Sequence, residues 1–214
     1  GGMEDAIGGY FQWELPVAGQ PWHPHAQAVN NGRNGLHLIL RANRPETLWV
    51  PDYVCCAVLD PAAELGIPVR RYPVRENLRV DETGIQAGPG DAVLCVDYFG
   101  LGADPQGLRE RVASRIILDN THAFFEVPAD GSEAFYSCRK FFGVPDGGYA
   151  YLSGPTDLHL PSDRSRQRCT HLLQRWEEGP EAGYIAYRRA EALLSRIALA
   201  RMSRLTADLM ASID

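Results

Sequence analysis

Apolar residues between positions 34 and 152 fall into short runs that alternate between two periods. Short runs rich in apolar and β-branched residues predict strands over 47–50, 69–74, 92–96, 116–118, 134–136 and 149–152. Helical spacing predicts helices over 35–42, 54–65 and 105–113, with Gly66 ending the second and Asp104 opening the third. Such strands separated by helices are typical of a mainly parallel sheet covered on both faces. We therefore expect an α/β protein with a three-layer α/β/α architecture.

Beyond residue 155 the sequence is more polar and predicts helices. Apolar residues spaced by three or four positions predict one face of a single last helix, namely Leu194, Ala198, Met202, Leu205 and Leu209. Arg164, Arg166 and Arg168 are expected to form a solvated surface. We divide the chain into a large domain, 1–154, and a helical segment, 155–214, that completes it.

Composition excludes several classes of partner. The chain has 214 residues and a net charge of -6, and no basic cluster favours nucleic acid or an anionic membrane. No apolar run approaches the roughly 20 residues of a membrane span. The five cysteines are odd in number and scattered, which predicts reduced thiols in a cytoplasmic protein. No C-x-x-C pair occurs, so we expect no metal site.

Lys140 is the only lysine, because 20 of the 21 basic residues are arginines. Arginine replaces lysine wherever a surface needs positive charge, but a guanidinium cannot act as an amine nucleophile. A lysine kept in such a chain is a candidate for Schiff-base chemistry with a carbonyl compound, commonly pyridoxal 5'-phosphate (PLP). An arginine-biased genome that left one lysine by chance is the alternative.

Two further groups complete the pattern. Asp119 directly follows the strand over 116–118, and ligands of parallel sheets bind beyond the carboxyl ends of the strands. Asn31-Gly32-Arg33-Asn34-Gly35 leads into a helix whose N–H groups would suit an anion. An amine, a carboxylate and an anion cradle are the protein groups that PLP needs. Taken singly, the aspartate would be a cap and the glycine cluster a turn.

The order of these features resembles the large domain of fold-type-I PLP enzymes, and most of all the DegT-type aminotransferases. The resemblance spans roughly residues 8–152. It is carried by Gly-Arg-Asn-Gly-Leu at 32–36 (the family's G-T-x-A-L loop), Ile-Leu-Asp-Asn-Thr-His-Ala at 117–123 (its E-D-x-A-Q/H-A segment), and Phe-Tyr-Ser-Cys-Arg-Lys at 135–140 followed by Gly147-Gly148. The best-known members aminate nucleotide-linked keto sugars.

The resemblance implies a role for each residue. Lys140 would form the Schiff base, and Asp119 would pair with the pyridine nitrogen. His122 would lie near the phenolic oxygen or the face of the ring, the alternative being a buried histidine satisfied by a backbone carbonyl. The phosphate would be bound by Gly32, Arg33 and Asn34.

Departures from the family pattern identify a divergent branch. Many sugar aminotransferases have a serine five residues before the lysine, where this chain has Phe135. We expect Ser137 to be the substitute phosphate ligand. The aromatic residue that covers the ring in relatives falls in 51–55, where Tyr53 is the first choice and Cys55 is allowed by the register. A Tyr53 packed in the core is the rival interpretation.

The resemblance predicts an aminotransferase that passes an amino group from an amino acid to a keto acceptor, of which a nucleotide-linked sugar is one candidate. The predicted partners are these small molecules and a second copy of the chain, since relatives are dimers. In relatives a smaller C-terminal domain follows, and this sequence ends before it. The alternatives are a PLP-dependent lyase, dehydratase or racemase, and a catalytically silent relative that acts as a partner subunit.

Overall fold

The computed structural model describes residues 13–15, 19–129, 131–155 and 157–213, and its centre is a seven-stranded sheet. The strands are β1 (Gln27–Val29), β2 (Leu48–Pro51), β3 (Val69–Tyr72), β4 (Ala92–Val96), β5 (Arg115–Asp119), β6 (Glu133–Ser137) and β7 (Gly148–Tyr151). Their order in the sheet is β1-β7-β6-β5-β4-β2-β3. The strands from β3 to β6 in this order pair in parallel, whereas β7 is antiparallel to both of its neighbours. The mainly parallel sheet is therefore confirmed.

Helices complete the architecture. They are α1 (Gly32–Asn43), α2 (Leu59–Glu64), α3 (Pro105–Arg111), α4 (Thr170–Glu178), α5 (Pro180–Leu194) and α6 (Arg204–Ala211). Two hydrophobic clusters cover opposite faces of the sheet, and β4 shows the alternation, since Leu94 belongs to one cluster and Cys95 to the other. The fold is the expected three-layer α/β/α arrangement.

Local chemistry explains where the predicted helices begin and end. Asn31 caps α1, because its side-chain oxygen accepts the Asn34 N–H at 2.7 Å. Asp104 caps α3 in the same way through Gly107 N–H at 2.8 Å. The helix predicted over 54–65 is shorter, with a 3₁₀ turn at Cys56–Val58 before α2. Pro61 has no N–H to continue an upstream helix, which accounts for this later start.

The single last helix that the apolar spacing predicted is wrong. Helix α5 ends at Leu194, α6 begins at Arg204, and the chain between them crosses the start of α1. Asn30 N–H donates to the Ala200 carbonyl at 3.0 Å, and its side chain donates to the Ala198 carbonyl at 2.9 Å. In these long-range hydrogen bonds the two carbonyls accept from Asn30 and not from N–H groups of a continuous helix. No local sequence pattern predicts such contacts.

The cluster of arginines is only partly solvated. Arg164 and Arg166 are exposed as expected, but Arg168 is buried between two carboxylates. Its Nη2 atom lies 2.9 Å from Asp146 Oδ2 and 2.8 Å from Asp163 Oδ2. The expectation for Arg168 was wrong because Asp146, the fully buried partner, comes from the loop before β7. Across the described ranges, no helix combines the length and apolar character needed to span a membrane.

Candidate functional site

A cavity of about 510 Å³ opens at the carboxyl ends of the parallel strands. Its walls come from the ends of β5 and β6, the first turn of α1, the loops after β2 and β4, and the last turn of α5. Seven of the eight residues predicted for the site lie on this wall: Gly32, Arg33, Tyr53, Asp119, His122, Ser137 and Lys140. The parallel strands bring them together from positions up to about 110 residues apart in sequence, as expected for ligand sites of such sheets.

Lys140 ends the 3₁₀ turn Cys138–Lys140, which directly follows β6. Its Nζ atom donates a hydrogen bond to Thr121 Oγ1 at 2.8 Å. Burial of the amine lowers the pKa of Lys140, and the negative charge of Asp119 partly opposes that shift. A lower pKa increases the neutral fraction of the amine, which is the form that attacks carbonyl carbon.

Asp119 is the last residue of β5 and is almost completely buried. Its Oδ1 atom accepts the Thr121 N–H at 3.0 Å. Burial raises the pKa of the Asp119 carboxyl, while the hydrogen bonds from Thr121 and the charge of Lys140 act in the opposite direction. A cationic group bound against this carboxylate would favour its ionised form.

The first turn of α1 offers donors for an anion. The N–H groups of Gly32 and Arg33 have no hydrogen-bond acceptor among the described residues. The Ser137 hydroxyl, on the same cavity wall, also has no hydrogen-bond partner among them. A Cβ atom on Gly32 would lie 3.2 Å from Ser137 Cβ, so glycine keeps this corner open. Free N–H groups at the start of a 12-residue helix suit a phosphate.

Arg33 and Asn34 are held by neighbouring segments. The Arg33 guanidinium pairs with Asp60 at 2.9 Å and also donates to the Leu194 carbonyl, although it still lines the cavity. Asn34 is not on the cavity wall. Its N–H is used by the Asn31 cap, and its side chain donates to Asn30 Oδ1 at 2.6 Å. Asn34 therefore shapes the turn that presents Gly32 to the cavity.

Aromatic rings flank the amine and the carboxylate. Tyr53 is 61% exposed and stacks on Tyr98 with ring centroids 5.6 Å apart, so it is not a core residue. Cys55 lines the same wall. His122 stacks on Phe99 at 5.3 Å with an angle of 12° between the rings. Both aromatic pairs stand at the rim of the cavity.

The Nδ1 atom of His122 is buried and has no hydrogen-bond partner among the described residues. No backbone carbonyl therefore satisfies this nitrogen. Burial lowers the pKa of His122, as does the nearby Lys140 charge. The neutral ring thus keeps one buried nitrogen whose hydrogen-bonding capacity no described residue uses.

Several wall residues were not predicted from the sequence. Thr121 contacts both Lys140 and Asp119. The sequence feature that could have identified it is a departure from the family pattern, because threonine stands where the E-D-x-A-Q/H-A segment has alanine. Arg139 pairs with Glu191 of α5 on the same wall. The pair joins residues 52 positions apart, and no spacing rule connects them. Phe99 was also missed because its loop has no regular period.

The donor set fits PLP. An amine, a buried carboxylate and a helix start with free N–H groups share one cavity, and His122 lines its wall beside Phe99. Among the described residues, no group of three or more His, Cys, Asp or Glu side chains is arranged to hold a metal ion.

No protein-family profile and no curated protein sequence matches the chain. Solved structures do match. One is 3-amino-5-hydroxybenzoic acid (AHBA) synthase, with 22% identity and a TM-score of 0.54, covering 62% of this chain and 39% of that one. Another is DesV of S. venezuelae, solved in complex with a ketimine intermediate, with 20% identity and a TM-score of 0.54, covering 79% and 52%.

A third match is the sugar aminotransferase CalS13 from Micromonospora echinospora, with 20% identity and a TM-score of 0.52, covering 81% of this chain and 58% of that one. The chain thus spans between 39% and 58% of the length of these three proteins. Similarity at this level shows that the chain shares its three-layer α/β/α fold with these structures.

Proposed function

We propose that this chain is a PLP-dependent aminotransferase of the DegT type. The observation that carries the proposal is the cavity in which the only lysine, Lys140, lies next to the buried Asp119 and faces the open first turn of α1. These are the three contacts that PLP requires, and they converge on one wall although they come from separate elements.

Each residue has a task that follows from its position. PLP, when bound, supplies an aldehyde that condenses with an amine and a ring that accepts electrons. Lys140 Nζ would provide the amine, and with an amino donor in the site it would take the proton from the donor's α-carbon and pass it to the cofactor's aldehyde carbon. Asp119 would accept a hydrogen bond from the ring nitrogen and keep that nitrogen protonated. Gly32, Arg33 and Ser137 would hold the phosphate through two N–H groups and a hydroxyl.

The substrates in this proposal are an amino acid donor and a keto acceptor. A nucleotide-linked keto sugar is the favoured acceptor because the similar structures include a sugar aminotransferase. We also propose a homodimer, since Tyr53, Phe99 and Leu101 expose large apolar surfaces at or near the mouth of the cavity. A cytoplasmic location is part of the proposal and is supported by the five free cysteines.

The decisive experiment uses the single lysine. The protein is mixed with PLP, reduced with borohydride, and digested for mass spectrometry. We expect a visible absorption band before reduction and one cofactor mass on the peptide that contains Lys140. Lys140→Arg keeps the charge but loses the nucleophile, so it should fold normally and carry no cofactor mass.

Glutamate then distinguishes the reaction class. Conversion of bound PLP to its amine form supports an aminotransferase, while a bound cofactor that glutamate leaves unchanged would favour a lyase, dehydratase or racemase. A wild-type chain that takes no cofactor mass contradicts the proposal and favours a silent fold relative.

A further inference from the structure

Thr121 lies between the two charged groups of the site and contacts both. Its Oγ1 atom accepts a hydrogen bond from Lys140 Nζ at 2.8 Å, and its N–H donates to Asp119 Oδ1 at 3.0 Å. The Thr121 side chain and N–H both act to lower the pKa of the Asp119 carboxyl, against the effect of burial. One residue thus contacts both the amine and the carboxylate.

Burial restricts the position of this hydroxyl. Thr121 is only 8% exposed, and its Cγ2 methyl faces Gly32 of α1, since a Cβ atom built there would lie 3.4 Å from it. A β-branched side chain has few rotamers, so packing of the methyl group determines the direction of the hydroxyl. Lys140 makes no other side-chain hydrogen bond within the described part of the chain. Its amine is therefore positioned by this one contact.

We propose that Thr121 is a positioning residue that holds the Lys140 amine against the Asp119 carboxylate and couples their protonation. When the amine is free, the Thr121 oxygen accepts one N–H and so directs the nitrogen lone pair into the cavity. When Asp119 is ionised, the hydroxyl donates to it and leaves its own oxygen lone pairs to the amine. The importance of this coupling for catalysis rests on the proposed function, but the coupling itself belongs to the cofactor-free protein.

Other charges near the amine must be considered in a titration. Asp119 and the Cys55 sulfur raise the pKa of Lys140, and Arg139 lowers it. His122, whose ring interacts with the Lys140 charge, faces the same space. None of these groups is removed by a change at Thr121, so a shift caused by that change reports on the hydroxyl.

The test measures the reactivity of Lys140 in cofactor-free protein. Acetic anhydride is reacted at a series of pH values, and the acetylated fraction of the Lys140 peptide is measured by mass spectrometry. Thr121→Val removes the acceptor and the donor while keeping the shape. The ammonium loses a partner and Asp119 becomes easier to protonate, so both effects lower the pKa of Lys140. We expect the labelling midpoint to move down by about one pH unit.

Two variants serve as controls. Thr121→Ser keeps the hydroxyl and should restore most of the wild-type midpoint. Thr83→Val is a matched control, because Thr83 binds Asp81 through its N–H at 3.2 Å and its hydroxyl at 2.7 Å, with no lysine nearby. Its midpoint should equal that of the wild type. If Thr121→Val does not fold, Thr121→Ala provides the same loss of the hydroxyl with less strain.

The outcomes separate this inference from the proposed function. A wild-type midpoint in the folded Thr121→Val or Thr121→Ala protein would overturn the inference, as would an equal shift in Thr121→Ser. Fixation of PLP by borohydride is scored separately. A shifted midpoint in a chain that never takes PLP would support the coupling and reject the aminotransferase.

Discussion

At the scale of single residues, the site combines two ionisable groups, Asp119 and Lys140, whose burial disfavours their charged forms. Burial raises the pKa of Asp119 and lowers the pKa of Lys140, so each group is held closer to its neutral form. A protonated ring nitrogen placed against Asp119 would supply the missing counter-charge. The carboxylate thus costs stability in the free protein and contributes affinity when a cation is bound.

Asp119→Asn should therefore change stability and binding in opposite directions. The pKa of Asp119 is above its unfolded value, so its unfavourable contribution grows as pH rises above about 4. At pH 7 the free energy of unfolding of the cofactor-free variant should exceed that of the wild type, and the difference should disappear near pH 3. PLP binding should weaken by about 1.5–3 kcal/mol. Urea titrations at both pH values and a PLP titration measure these effects, and equal PLP affinity would refute the assignment.

The sequence predicted the site residues that stand at element ends. Asp119 and Ser137 end buried strands, and the carboxyl ends of parallel strands converge. Thr121 and Phe99 were missed because their contacts depend on side-chain direction in loops. Asn34 was grouped with Gly32 and Arg33 because they are adjacent, but successive residues of a first helical turn face different ways, and Asn34 does not reach the cavity.

At the scale of elements, the start of α1 is packed closely against the end of β6. A Cβ atom on Gly32 would lie 3.2 Å from both Ser137 Cβ and the Tyr136 carbonyl oxygen. That separation is tight but allows a small adjustment. The helix start thus faces the Ser137 hydroxyl across a gap that only glycine leaves open.

Gly32→Ala should narrow the space between the first turn of α1 and Ser137, where we propose that the phosphate binds, without unfolding the protein. We expect PLP affinity to fall about tenfold, equivalent to about 1.4 kcal/mol, because one donor is displaced from the anion. Thermal unfolding should change little. Gly154→Ala is the control, since a Cβ atom there would meet no atom within 4 Å. Unchanged affinity in Gly32→Ala would place the phosphate elsewhere.

His23 connects the segment before β1 to the loop that carries the site. Its Nε2 atom donates to the Phe124 carbonyl at 2.7 Å, so in the neutral ring Nδ1 accepts from the Tyr151 hydroxyl at 3.1 Å. Burial lowers the pKa of His23 below its unfolded value of about 6.5. Phe124 lies two residues after His122, so this contact also fixes the site loop.

The pH dependence of stability should reveal this histidine. Below pH 6.5 the unfolded chain binds the proton more strongly than the native chain, so the free energy of unfolding falls by about 1.4 kcal/mol for each unit of pKa difference. In His23→Gln the loss between pH 6.5 and pH 5 should be smaller than in the wild type. His25→Gln is the control, because His25 is exposed and lies two residues from His23. An identical pH profile for His23→Gln and wild type would contradict the prediction.

At the scale of the whole molecule, local sequence patterns predicted the α/β/α layers. Long-range polar contacts determine the position of β1 and the path of the C-terminal segment. Alternating strands and helices were enough for the mainly parallel sheet, but β1 has only three residues and is defined by its pairing with β7. Buried Asp146 accepts from Arg168 and from Ser203 N–H, which ties the loop after Lys140 to the C-terminal segment. Leu194 and Met202, which the spacing placed on one face of a single last helix, are both buried.

Apolar exposure near the cavity mouth favours a dimer that covers the site. Leu101 is 68% exposed, and Phe99 and Tyr53 are 64% and 61% exposed. Large side chains grouped beside a ligand cavity are typical of a protein interface. If two copies meet here, each buries these exposed side chains against the other copy. One substitution then removes two contacts, because the interface of a twofold dimer contains every residue twice.

Leu101→Asp should therefore weaken the dimer at least about tenfold, since burial of each leucine contributes about 1.5–3 kcal/mol. Trp176→Asp is the matched control, because Trp176 of α4 is 90% exposed but does not line the cavity. Sedimentation velocity over a range of concentrations measures both dissociation constants. A dimer that is lost in Trp176→Asp and kept in Leu101→Asp would move the interface to α4, and a monomeric wild type would reject the dimer altogether. If the interface does cover the site, PLP affinity should fall on dilution below the dissociation constant, in step with the monomer fraction.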